Sequence, residues 1–216
     1  MKKIFLILPI LFLYSCQSYL LSEKDLIQLN YAKSKESIIV FYKKDITYKD
    51  DKSVFVKSHR VLRVGNNLKA VPQLLYVFDS PIEKLVEFQA KIIHKNNKHT
   101  SFEIGDLHTQ TMSNYTQISS AKVKILPITE KISTGDLIEF VSIHEKTIPR
   151  LGSIFTLDEI GTSAFNISYS VEIPIADSLI YKVVNTSIKP RMSFTDKAKK
   201  YTFEWKHYSP TKNNFV

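Results

Sequence analysis

The chain has 216 residues, with 30 Lys and Arg against 21 Asp and Glu and a formal net charge of +9. A hydrophobic share of 44% and a charged share of 24% exclude wholesale disorder, and the length suits one domain, or two small ones, with a real core. With 5 Gly and 1 Cys, a glycine-rich phosphate loop, a disulfide framework and a cysteine-rich zinc site are all excluded.

The first element in chain order is an export signal. Lys2 and Lys3 precede the apolar run Ile4 to Leu13, which Pro9 interrupts. Basic, then apolar, then small or polar residues is the order of a secretory signal peptide. The run is too short for a bilayer core, which takes about 20 apolar residues, and no later stretch is long enough either. Its close, Leu13-Tyr14-Ser15-Cys16, resembles the lipobox of bacterial lipoproteins, although Tyr14 is bulkier than the residue usual before Ser15. The resemblance implies that residues 1–15 are a cleaved signal peptide and that Cys16 carries a diacylglycerol thioether. Each buried lipid methylene is worth about 0.8 kcal/mol, so two or three chains hold a domain on a membrane without a spanning helix. The expected compartment is the bacterial cell envelope. Gln17 is not the Asp that commonly retains lipoproteins at the inner membrane, which favours the outer membrane.

Residues 16–35 read as a lipidated tether and a short helix, with Ser22 as N-cap, Asp25 in the first turn and Leu26, Ile27 and Leu29 following. From Glu36 the period becomes two, the pattern of half-buried strands. Ile38, Val40, Tyr42, Ile46 and Tyr48 share a face that only Lys44 interrupts, and Lys49-Asp50-Asp51-Lys52 turns the chain. Val86, Phe88, Ala90 and Ile92 alternate with polar residues, and Lys95-Asn96-Asn97-Lys98 makes another turn. Asp106 to Gln117 is polar and aperiodic and reads as a long loop. Ala121, Val123 and Ile125 alternate next. Leu137 to Ile143 and Leu179 to Val184 are apolar on both faces, as central strands are. Phe165, Ile167, Tyr169, Val171 and Ile173 form one further face, and Tyr201, Phe203, Trp205 and His207 another. The predicted fold is all-β, an antiparallel two-sheet β-sandwich of about nine to eleven strands over residues 36–210, with a tail at 211–216.

Chemistry is sparse. A cysteine nucleophile needs a thiolate beside a general base, and Cys16 is committed to lipid. No Gly-x-Ser-x-Gly elbow, Walker loop or His-Glu-x-x-His occurs. Of the six histidines, His59, His94, His99, His108, His144 and His207, only His94 and His99 flank one hairpin turn where two ligands could converge. Asp136 and Glu139 read as a turn residue and a strand-edge charge, since an acid/base pair works only in a desolvated cleft. The lysines lie on the polar faces of nearly every strand, without a stripe or an aromatic platform, which suits a solvated surface or one facing anionic lipid rather than nucleic acid. The Asn-x-Ser/Thr triplets at Asn114, Asn166 and Asn185 are chance matches. No catalytic residue, metal or cofactor is expected.

The order of the elements resembles the domain of unknown function that precedes the transglutaminase-like core in bacterial envelope proteins. The matching pieces are Leu21 to Leu26, the strand from Ser37 to Tyr42, the return His59-Arg60-Val61-Leu62-Arg63-Val64, Glu83-Lys84-Leu85 leading to Ala90-Lys91-Ile92-Ile93-His94, Gly135-Asp136-Leu137-Ile138-Glu139-Phe140, and Tyr201-Thr202-Phe203-Glu204-Trp205. In that family the acyl-transfer residues belong to the following core, so the resemblance brings no catalytic residue to this chain. It implies a non-catalytic binding or scaffolding module that docks a peptide, or a separately encoded transglutaminase-like partner, along a sheet edge. The rival expectations are a hydrolase or transferase with an unrecognised site, and the remnant of a longer transglutaminase-like protein.

Overall fold

A computed structural model describes residues 37–49, 53–71, 77–111, 122–147, 164–181 and 188–208. The expectations for the signal peptide, Cys16, the helix after Ser22, Asn114, Asn185 and the tail lie outside the described residues. The described residues form strands β1 (Ile38–Tyr48), β2 (Ser53–Arg63), β3 (Val77–Asp79), β4 (Glu83–Ile93), β5 (His99–Glu103), β6 (His108–Thr111), β7 (Lys122–Ile125), β8 (Leu137–Thr147), β9 (Ala164–Pro174), β10 (Arg191–Phe194) and β11 (Ala198–Tyr208), and the expected period-two segments lie in β1, β4, β7, β9 and β11. Among the described residues the only helices are 3-10 turns of three residues, at Leu68–Ala70, Ile104–Asp106 and Thr129–Lys131.

Eight strands make one sheet in the order β10-β11-β9-β1-β2-β8-β4-β5, and three make a second in the order β3-β7-β6. The fold is therefore all-β, as expected. The large sheet is mixed rather than wholly antiparallel, because β1 and β9 run parallel from Ile39↔Ala164 to Thr47↔Glu172. Alternation in a sequence reports which face a side chain takes and nothing about the direction of the neighbouring strand, so this pair could not be foreseen.

Two further expectations are corrected. The stretch read as a loop from Asp106 contains β6, which pairs with β7 from His108↔Ile125 to Thr111↔Lys122. His108, Thr109 and Gln110 are all exposed, so no buried face existed to give the strand away. Leu179 to Tyr181, read as the start of a central strand, carries no strand. Leu179 instead packs on a core cluster, and the Tyr181 ring stands edge-on to Phe203 at 5.3 Å between centroids. The other mixed run behaves as expected: β8 is flanked by β2 and β4, and Leu137 to Ser142 are all buried.

Cross-strand register places two apolar clusters on one face of the large sheet. One joins Tyr42, Leu62, Phe88, Ile92, Ile138 and Phe140 to Val77 of β3 and to Leu126 and Ile128, which follow β7. The other joins Ile46, Val56, Val171, Tyr201 and Phe203, where Ile46 lies directly opposite both Val56 and Val171. Burying each such side chain is worth about 1.5–3 kcal/mol. A third cluster, Ile38, Val40, Val61, Ile93 and Leu137, occupies one end of the opposite face.

In the small sheet Lys124 of β7 holds Asp79 of β3, Nζ to Oδ2 3.0 Å, and the Leu85 N–H also donates to that carboxylate. Burial alone would raise the Asp79 carboxyl; the hydrogen bond and charge of Lys124, with Leu85 behind them, outweigh it and hold it below the ordinary carboxylate range. A depressed pKa adds stability above the unfolded value, about 3.9, and that contribution is lost as pH falls through the folded value. At pH 6 the native chain is thus expected to exceed Asp79→Asn by about 0.5–1 kcal/mol, with the gap closing below about pH 4. Thermal melts of both proteins across pH 3–7 check this; a gap that widens on acidification would contradict it.

Candidate functional site

Glu139 is not a strand-edge charge. It lies in the middle of β8 with 0% of its surface exposed, and its Oε1 meets Nε2 of buried His59 on β2 at 2.7 Å. Register sets Glu139 opposite Val61 and His59 opposite Val141, so the two are diagonal neighbours on one face. Phe41 stands edge-on to the imidazole at 5.1 Å. Val61, Leu137 and Ile93 on the same face are also buried, so this end of the sheet is covered on both sides. A carboxylate that orients an imidazole is half of a general-base arrangement. Among the described residues, however, no hydroxyl or thiol hydrogen-bonds to His59, and the pair is closed to solvent. As built, it ties β2 to β8.

Asp136 is the turn residue its sequence suggests. Its Oδ2 accepts the Ser133 N–H at 2.8 Å and the His94 Nδ1–H at 2.9 Å, while its own carbonyl accepts the Val64 N–H at 2.9 Å. Gly135 before it has φ +89°, a left-handed conformation open to glycine, and a Cβ there would stand 2.5 Å from Lys95 Cε. The pair Gly135-Asp136 therefore fastens the start of β8 to the end of β2 and to the β4–β5 hairpin.

His94 and His99 do not converge: His94 turns to Asp136, and His99 is exposed on β5 opposite Ile93. His108 is exposed on β6, and His144 is buried on the face of β8 opposite to that of Glu139. His207 belongs to β11, but its side chain is not among those described. Among the described residues no three His, Cys, Asp or Glu gather to hold a metal. Asn166 lies within β9, where its side-chain amide donates to the Val40 carbonyl.

Two arrangements carry no motif in the sequence. The first is a polar band across the core face, between the two apolar clusters. Tyr42, Arg60 and Phe140 form one cross-strand row, and Lys44, Ser58 and Ser142 the next. Lys44, the interruption in the β1 pattern, is 1% exposed, with its Nζ 5.9 Å from the centroid of the Tyr169 ring. The Arg60 guanidinium lies 5.0 Å from the Tyr42 ring and 5.6 Å from the Phe140 ring.

The second is the edge formed by β10. Thr195 N–H donates to Ala198 O at the hairpin end. Alternation in an antiparallel pair then makes Ser193 and Arg191 the residues bonded to β11, and turns the N–H and C=O of Met192 and Phe194 outward. The side chains of Met192 and Phe194 are 51% and 61% exposed and follow Tyr201 and Lys199 across the sheet. The other end of the sheet, β5, alternates exposed His99, Ser101 and Glu103 with inward residues, as protected edges do.

The family model described as DUF3857, a domain of unknown function with a solved structure, matches residues 50–212. No curated protein matches the sequence. Among solved structures, a "putative protease" from Parabacteroides distasonis ATCC 8503 is similar at 13% identity and TM-score 0.64, over 85% of this chain and 38% of that one. An M1 zinc metallopeptidase from Deinococcus radiodurans is similar at 11% identity and TM-score 0.41, over 79% of this chain and 39% of that one. The chain thus spans about two-fifths of the length of each solved protein, and at 13% identity the likeness to the first concerns the fold alone.

Proposed function

The chain belongs to the DUF3857 family, and with that as premise we propose that it is a non-catalytic binding or scaffolding module, held in the bacterial envelope by lipid on Cys16, that captures an extended segment of a partner along β10. The observation that carries the reading is the β10 edge, which no strand among the described residues covers and where outward backbone groups of Met192 and Phe194 coincide with two exposed apolar side chains. A strand added there gains main-chain hydrogen bonds, while alternate side chains supply selectivity. We read the small sheet as the second layer of a sandwich, since Val77 shares a cluster with residues of the large sheet.

The preferred partner is a separately encoded transglutaminase-like protein. Support comes from the resemblance carried by the Gly135 to Phe140 segment. The non-catalytic reading is favoured by the sealed position of His59 and Glu139. Lipid on the thiol suits the apolar run before Cys16, and the outer membrane is the preferred address because Gln17 follows it.

Pull-down of the full chain from detergent-solubilised envelope is expected to recover a transglutaminase-like protein, with at least tenfold less recovered by Met192→Pro, which removes one outward N–H. Absence of such a partner, or equal recovery by the variant, would overturn the docking reading. Lipid labelling that persists in Cys16→Ala would overturn the anchor.

A further inference from the structure

We infer that Arg60 is the centre of a binding site for one oxyanion group, a carboxylate or a phosphate. A guanidinium stays charged at any physiological pH and carries five N–H donors around its rim. Here the Tyr42 ring lies 5.0 Å and the Phe140 ring 5.6 Å from it. Its Nε is buried and has no hydrogen-bond partner. Ring contacts recover part of the hydration that a cation gives up, but they leave N–H donors without acceptors. The exposed Arg191 of the same sheet, by contrast, donates to Glu204 at 2.7 Å.

The surroundings favour an anion. The adjacent cross-strand row on the same face holds Lys44, Ser58 and Ser142, all buried. Of the residues that β1, β2, β4 and β8 place on that face, the one acid is Glu83, which is bound to Lys146 at 2.8 Å. Arg60 as a residue is partly exposed, with its Nε buried. A planar group with two acceptor oxygens is the complement of a fork that two rings already hold flat. The site lies four strands from β10, about 19 Å at ordinary strand spacing, and stands independently of edge docking.

The test is a titration of the purified full chain, in detergent, with sodium acetate, sodium phosphate and sodium chloride at constant ionic strength. The readouts are the Arg60 Nε–H resonance, marked by the ring currents of Tyr42 and Phe140, and the melting temperature. Acetate or phosphate is expected to move the Nε–H resonance downfield and, near tenfold over half-saturation, to raise the melting temperature by about 3–5 °C. A response to acetate alone assigns the site to carboxylates, a response to phosphate alone assigns it to phosphate esters, and either supports the inference. Arg60→Lys keeps the charge and loses the fork, and should weaken binding at least tenfold. An unmoved Nε–H resonance, an equal response to chloride, or undiminished binding by Arg60→Lys would overturn it; the first two outcomes need no variant to fold.

Discussion

Replacing His59 with alanine is expected to lower the free energy of unfolding by about 3–5 kcal/mol. The effect is large because Glu139 keeps its position in the middle of β8, with none of its surface exposed, after losing the 2.7 Å contact to Nε2. The His59 imidazole is part of what offsets the hydration that Glu139 gives up among Val61, Leu137 and Phe41, and its loss leaves that burial less well compensated. For a chain of this length that corresponds to a fall of roughly 6–20 °C in melting temperature. The double variant His59→Leu, Glu139→Leu separates this cause from loss of packing, because with no carboxylate left to bury it should recover part of the stability. Urea unfolding of the three proteins checks the ordering. A single variant within about 1 kcal/mol of the native chain would mean that the pair is not the tie between β2 and β8.

Phe140→Ala should cost a comparable 3–5 kcal/mol, by a different route. Phe140 lies in the largest core cluster, its ring stacked on Phe88 at 6.4 Å between centroids, on a strand flanked by β2 and β4. Truncation leaves a cavity that two long strands on either side cannot collapse to fill, so the transfer and cavity terms add. It also removes one of the two rings that flank Arg60. Phe140→Leu keeps much of the volume and should cost about 1.5 kcal/mol or less. If denaturant melts put the two variants at the same stability, the packing argument fails.

The parts of this fold that were legible in the sequence are those where one face is dry and the other wet. β1, β4, β9 and β11 announce themselves because Tyr42, Phe88, Val171 and Phe203 recur at every second place beside solvated neighbours. β6 and β10 gave no signal, since His108 to Gln110 and Arg191 to Phe194 are exposed at each position and hold their strands by backbone pairing. The apolar run at Leu179 misled for another reason: Leu179 and Tyr181 pack on the core cluster without joining the sheet, and Ile180 is exposed. Glu139 read as a peripheral charge although it sits in a run apolar on both faces, because the partner that lets a carboxylate be buried there, His59, lies eighty residues away. Arg60 and Lys44 were equally opaque, as a polar residue within a strand pattern reads as solvated until the covering layer is known.

The parallel contact between β1 and β9 bears on how the chain reaches its native state. Asp45 and the Ser170 hydroxyl that bonds to it are separated by 125 positions, and Val40 and Asn166 by 126. Closing a segment of that size costs entropy before any contact repays it, and topologies rich in such distant pairings fold slowly. The hairpins β1–β2 and β10–β11 need only local closure, so they belong to the early events, whereas the seam between β1 and β9 belongs to the late ones. Until that seam forms, β1 offers a bare ladder of donors and acceptors to any strand nearby, and the nascent sheet is most exposed to mispairing along this line.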